Sequence, residues 1–141
     1  YSGTTPKDSL TKTSPYGHVE NAFDVCGVVK SAGAGFVARG TVMDVFELDR
    51  LIDKAISHKG FSFVEVISPC PTHFGKANKL GDAPAMMRWI KDNTIPAAKA
   101  AGMSYSELRG KFVTGILENR EQEDYSTAYA KVIECLKGEV G

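Results

Sequence analysis

Residues 36–67, FVARGTVMDVFELDRLIDKAISHKGFSFVEVI, decide the fold. Within them Val45, Leu48, Leu51, Ile52, Ala55 and Ile56 recur at helical spacing, which predicts a helix over "DVFELDRLIDKAISHKG". Asp44 and Glu47 occupy capping-box positions at its start, with Asp in place of the usual Ser or Thr. His58 and Lys59 before Gly60 suit the negative carbonyl end. Ahead of the helix, "FVARGT" reads as a short strand; behind it, "FSFVEVI" reads as a strand apolar on both faces, the pattern of a buried parallel strand. Strand, helix, strand in this span is a βαβ unit.

Upstream, "NAFDVCGVVKSAGAG" predicts a helix of about three turns, with Phe23, Gly27 and Lys30 on one line. Val25, Val28, Val29 and Ala32 form its apolar stripe, and Gly33 and Gly35 stop it. Downstream, "APAMMRWIKDNTIPAAKAAGM" gives helical segments interrupted by Pro96. "KFVTGILEN" gives a third strand, and "DYSTAYAKVIECLKG" a closing amphipathic helix. The order α, β, α, β, α, β, α implies an α/β fold of three layers around a mostly parallel sheet. No repeat, low-complexity tract or linker divides residues 1–141. Ligands of such sheets sit beyond the carboxyl ends of the strands.

Seventeen basic and seventeen acidic residues cancel, so the chain lacks the charge that attracts nucleic acid or an anionic membrane. No apolar run approaches the ~20 residues of a membrane-spanning helix, and no leader opens the chain; a cytoplasmic protein is expected. The first residue is Tyr1 rather than Met, and the polar stretch "YSGTTPKDSLTKTSPYG" holds no obvious element, so a fragment of a longer protein is expected. Cys26, Cys70 and Cys135 lie far apart without a CxxC pair. That argues against a disulfide framework and a self-contained zinc site, and any metal here needs ligands from elsewhere.

"SPCPTHFG", residues 68–75, directly follows "FSFVEVI", so Cys70 falls at the sheet's carboxyl edge. Pro71 pushes Cys70 toward extended geometry, and Pro69 does the same to Ser68. A thiol aimed in this way suits a metal ligand or a nucleophile, both of which act as thiolates. A small cysteine buried in a rigid turn is the alternative. His73 reads as a surface-loop histidine, since no orienting group accompanies it. Arg39 offers a planar fork to a carboxylate or phosphate, with a structural or partner-subunit ion pair favoured. Lys59 serves the helix end, and Met86, Met87 and Trp89 read as packing, in part against another subunit. "ENREQEDY" reads as a solvated charged turn. GxxxxGK and GxGxxG are absent, so nucleotide hydrolysis and dinucleotide binding have no local support.

The segments "TTP", "SPYGHVE", "AGAGFVARGT", "HKGFSFVEVISPCPTHFG" and "DAPAMMRWIKDNTIP" resemble the carboxyl-terminal part of the beta subunit of 2-oxoacid:ferredoxin oxidoreductases, most closely the 2-oxoglutarate type. The resemblance covers nearly the whole chain and weakens after about residue 120. It implies part of a thiamine-diphosphate-binding fold, with residues 1–141 the carboxyl-terminal part of a pyrophosphate-type domain. It also implies an enzyme that decarboxylates a 2-oxoacid on thiamine diphosphate and magnesium. Electrons then pass through a 4Fe-4S cluster to ferredoxin, and the acyl group goes to coenzyme A. The partners so implied are the alpha subunit, ferredoxin, the 2-oxoacid and coenzyme A.

In that family three amino-terminal cysteines and one in the "SPCP" segment hold the cluster, and Cys70 stands at the matching position. Ligands set far apart along a chain need pre-ordering, because ordering them on binding costs entropy. Cys26 and Cys135 are left as helix-face core residues. The family's acidic "GDG" magnesium anchor and its paired cysteines are absent here and expected upstream of Tyr1. Ser2, Thr4 and Thr5 match a loop that lines the cofactor pocket through hydroxyl donors, a solvated polar loop being the equal alternative. No catalytic residue is singled out. The chain alone is expected to be inactive and to bind neither thiamine diphosphate nor an intact cluster. Two other functions compete: a non-catalytic α/β assembly domain, and a non-redox thiamine-dependent decarboxylase.

Overall fold

The structure, a computed structural model, describes residues 2–138. Its elements in chain order are α1 (Val25–Ser31), β1 (Phe36–Thr41), α2 (Val45–Ser57), β2 (Ser62–Ile67), a π-helical turn (Pro71–Gly75) and α3 (Ala83–Asp92). After these come β3 (Thr94–Pro96), α4 (Ala97–Ala100), α5 (Tyr105–Leu108), β4 (Phe112–Asn119) and α6 (Tyr125–Gly138).

β1, α2 and β2 form the βαβ unit that residues 36–67 predict, with β1 and β2 parallel and in register from Phe36↔Ser62 to Thr41↔Ile67. Asp44 caps α2 by accepting a hydrogen bond from the Glu47 amide at 3.0 Å. Only this half of the capping box forms, because the Glu47 carboxylate turns to Arg50 instead, at 2.8 Å from Nε. Leu51, fully buried, pins α2 on the sheet. Burying such a side chain stabilises by about 1.5–3 kcal/mol.

The sheet has the order β2-β1-β4-β3. Cys26, Ala34 and Val37, with Val29, Phe63 and Leu117, fill the α1 side. Phe36, Ala38 and Leu51, with Ala55, Val64 and Ile116, fill the α2 side. These two clusters on opposite faces are the three layers expected.

Several expectations need correction. β2 is an edge strand and only partly buried, although both its faces are apolar. β4 runs antiparallel to β1 and parallel to β3. Period-two hydrophobicity carries no direction, so this sense is set by the chain's return path through α3 to α5. Thr94–Pro96, read as a break between helices, is a short strand whose proline stands at its end, where a missing N–H costs least. α1 spans only 7 residues, and its buried side chain is Cys26, while Val28 of the expected stripe is 48% exposed. Its stop is as expected: Gly33 takes a φ of +97°, with Gly33 N–H on the Lys30 carbonyl and Ala34 N–H on that of Val29.

α6 forms as predicted but buries no residue, so Cys135 is exposed rather than part of a core. Its large apolar side chains, Tyr125, Tyr129, Val132, Ile133 and Leu136, are left exposed. "ENREQEDY" is tied down rather than loose: Arg120 N–H donates to the Gly35 carbonyl at 2.8 Å and Gln122 Nε2 to that of Gly33 at 3.0 Å. Tyr1, which opens the polar stretch, lies outside the described residues.

Candidate functional site

Cys70 stands three residues beyond Ile67, the last residue of β2, and heads the π-helical turn. Its carbonyl accepts from Gly75 N–H at 2.9 Å, which closes that turn. Gly75 is buried against α3, and a methyl group there would meet Met86 Sδ and lie 3.2 Å from Met86 Cγ. A glycine is therefore what lets the turn close onto the core. Trp89, one turn on along the same face of α3, adds its ring 6.0 Å from Phe74 and 5.8 Å edge-on from Phe112. Met86 is buried and Met87 half-buried, as packing residues should be.

The Cys70 thiol is exposed. The nearby Phe74 and His73 amides, and to a smaller extent the Thr72 side chain, hold its pKa below the usual thiol value. Cys26 is the opposite case: burial raises its thiol to about 12, against the lowering effect of the Arg39 charge. Its sulfur donates to Glu65 Oε2 at 3.3 Å. One thiol is presented to solvent; the other is inert core, as expected.

Three adjoining clefts open at this rim. One of about 220 Å³ is lined by Ser2, Thr4 and Thr5 together with Ile67, Cys70 and Trp89. A second, of about 660 Å³, lies on the other side of Cys70 and includes Thr5, Thr11, Lys12, Thr72 and His73. A third, of about 470 Å³, holds Thr4, Arg39, Glu65, Ser68 and Lys111. The structure thus brings Ser2, Thr4, Thr5 and Cys70 to one rim, a juxtaposition that the sequence does not give. The three hydroxyls form their own cluster, Ser2 Oγ lying 2.9 Å from Thr4 Oγ1 and Ser2 N–H donating to Thr5 Oγ1 at 3.0 Å. His73 is an exposed residue on the cleft wall. A larger cleft of about 800 Å³ lies around Ser57, His58 and Gln122. It sits at the amino-terminal ends of β1 and β2, away from the edge at which α/β sheets bind ligands.

Arg39 is the structural ion pair favoured above. Its Nε donates to Glu65 Oε2 and its NH2 to Asp24 Oδ1, each at 2.6 Å. Asn78 was not foreseen. Its side chain accepts from Leu10 N–H at 2.7 Å and donates to the Leu10 carbonyl at 3.0 Å, clamping the polar amino-terminal stretch to the segment after Cys70. A lone asparagine in "KANK" carries no sequence signal for this.

Among the described residues no three His, Cys, Asp or Glu side chains converge as a metal site. Cys70 fits a cluster as one thiolate ligand of four, with the other three supplied from elsewhere. No helix among the described residues is long and apolar enough to cross a membrane.

Comparison with known proteins bears on this geometry. Residues 2–66 match the family model for the thiamine pyrophosphate enzyme C-terminal TPP binding domain. The 2-oxoglutarate synthase subunit KorB of Methanocaldococcus jannaschii is 41% identical over 138 residues, 98% of this chain and 51% of the relative. That of Methanothermobacter thermautotrophicus is 38% identical over 97% of the chain and 48% of the relative. The chain therefore spans about half the length of the curated relatives it matches. Among solved structures, a 2-oxoglutarate:ferredoxin oxidoreductase from Magnetococcus marinus, with 2-oxoglutarate, coenzyme A and succinyl-CoA bound, matches with a TM-score of 0.76 at 28% identity. That match covers 100% of this chain and 48% of the other. By sequence along nearly all its length, and by fold, the chain is similar to half of a 2-oxoacid:ferredoxin oxidoreductase beta subunit, the half that carries the carboxyl-terminal thiamine-diphosphate-binding domain.

Proposed function

We propose that this chain is part of the beta subunit of a 2-oxoacid:ferredoxin oxidoreductase acting on 2-oxoglutarate, and that Cys70 supplies one thiolate ligand of its 4Fe-4S cluster. The observation that carries this reading is the exposed Cys70 thiol, held at the sheet's carboxyl edge in one cleft with Ser2, Thr4 and Thr5. The cluster, when bound, supplies one-electron transfer toward ferredoxin, and thiamine diphosphate with magnesium supplies carbanion chemistry at the 2-oxoacid.

The chain's own residues have simpler tasks. The Phe74 and His73 amides and Thr72 favour the deprotonated sulfur that ligation requires. Proline on both sides and the Gly75 N–H fix the backbone that carries it. Ser2, Thr4 and Thr5 offer hydroxyl donors to the cofactor. The alpha subunit, ferredoxin and coenzyme A are the partners this reading entails, in the cytoplasm.

The test is Cys70→Ser in the complete enzyme. Iron content and the cluster's electron paramagnetic signal should both change, and ferredoxin reduction should be lost or severely impaired. An unchanged signal with unchanged electron transfer would remove Cys70 from the ligand set.

A further inference from the structure

The polar stretch that carries Ser2, Thr4 and Thr5 forms no helix or strand before α1. Ordering such a loop costs backbone entropy at every residue, so its place beside Cys70 has to be set by contacts with the rest of the chain. Asn78 makes such a contact. Its Oδ1 accepts from Leu10 N–H at 2.7 Å and its Nδ2 donates to the Leu10 carbonyl at 3.0 Å. These are the two bonds that a residue of a paired antiparallel strand would exchange with Leu10.

The second Nδ2 hydrogen goes to the Phe74 carbonyl at 2.9 Å, which also takes the Asn78 N–H at 3.0 Å. Asn93 makes the same local bond to the Trp89 carbonyl at 2.8 Å, so that contact by itself is an ordinary close to a helical turn. Asn78 differs in joining the local bond to a pair with a residue 68 positions away. Phe74 belongs to the π-helical turn that Cys70 heads. Leu10 and Thr11 line one cleft with Cys70, Thr72 and Phe74, while Thr5, Cys70 and Phe74 border both that cleft and the smaller one lined by Ser2 and Thr4. The loop that offers hydroxyls and the turn that offers the thiol are therefore two walls of one rim, and Asn78 grips both. A neutral amide does this half-buried without the desolvation cost of a charge.

We propose that Asn78 is a positioning residue: through Leu10 and Phe74 it fixes the hydroxyl-bearing loop against the Cys70 turn and so sets the surroundings of the sulfur that ligates the cluster. The inference rests on the reading of Cys70 as a cluster ligand. The His73 and Phe74 amides lie near that sulfur. A turn released at the Phe74 carbonyl holds them there less firmly, and hydrogen bonds to the sulfurs are among the groups that set a cluster's potential.

The test uses the complete enzyme. Asn78→Leu is similar in shape but removes all three side-chain bonds. Asn78→Asp keeps the acceptor for Leu10 N–H and sets a carboxylate against the two carbonyls that Nδ2 served, so it answers the question if the leucine variant fails to assemble. In Asn78→Leu the Leu10 amide should exchange hydrogen about tenfold faster. In either variant the cluster's electron paramagnetic signal should keep its intensity while its midpoint potential falls by about 30–60 mV, a three- to tenfold shift of a one-electron equilibrium. Leu51→Ala, which destabilises through the α2 face, should leave that midpoint where it is, so that positioning is told apart from lost stability. The proposal fails if Leu10 exchange is unchanged in Asn78→Leu, if neither Asn78 variant moves the midpoint, or if Leu51→Ala moves it equally. Cys70→Ser judges the underlying reading separately: a signal lost there, with the midpoint unmoved in both Asn78 variants, would leave Cys70 a ligand and deny Asn78 its role.

Discussion

Replacing Gly75 by alanine probes the contact that seats the Cys70 turn on the core. The added methyl group would press on Met86, which is 2% exposed and closed in by its neighbours, with its Cγ only 3.2 Å away. Overpacking of this kind costs about 1–3 kcal/mol, while alanine regains up to ~1 kcal/mol over glycine in a helical turn. A net loss of about 1–2 kcal/mol, set against an unfolding entropy of ~0.3 kcal/mol/K for a chain of this size, lowers the thermal midpoint by roughly 3–7 °C. Met86→Ala alone should cost about 2–5 kcal/mol through the cavity it leaves. Combined with Gly75→Ala, the new methyl group fills part of that space, so the double variant should be at least ~1 kcal/mol more stable than additivity predicts. Differential scanning calorimetry of the four proteins measures all three quantities. Strict additivity, or a stabilised Gly75→Ala, would refute the reasoning.

Three further outcomes are expected. Glu65→Gln should destabilise by about 1–3 kcal/mol in urea titration, less than the ~3–5 kcal/mol of a fully buried broken pair, because Arg39 and Glu65 are 12% and 20% exposed and Asp24 still holds the guanidinium. In thiol labelling of the native chain, Cys70 and Cys135 should react and Cys26 stay protected until unfolding, since only Cys26 is buried; rapid native labelling of Cys26 would contradict the packing. Hydrogen bonds from Ser104 to Glu107, from Lys30 to Glu118 and from Thr127 to Asp124 hold these three carboxyls below their ordinary values. Their stabilisation is therefore complete above those ordinary values and drains away as pH falls through the depressed ones. The urea midpoint should drop on acidification in that window, less steeply in Glu118→Gln.

Much of the site was legible because its determinants are local. Proline before and after Cys70 constrains the backbone whatever surrounds it, and the strand ahead places the thiol at the sheet's rim. The partners of that thiol were not legible. Which amides face the sulfur depends on a π-helical turn, and that turn depends on Gly75 fitting against Met86, 11 positions later in the chain. Nor could spacing show that Asn78 would bind Leu10, 68 residues away. Cys26 and Cys135 illustrate the same limit. Both sit on helices with apolar neighbours, yet α1 buries its cysteine against the sheet, while α6 buries none of its residues.

Residue spacing alone determined the βαβ unit, the caps and stops of its helices, the charge balance and the rigid presentation of one cysteine, since each follows from φ restriction, side-chain periodicity or composition. Tertiary structure alone decided that β4 runs against β1, that a strand patterned for burial lies at an edge, and that Ser2, Thr4, Thr5 and Cys70 share a rim. A hydrophobic pattern specifies that a face is to be covered; only the packed chain specifies by what, and in which direction.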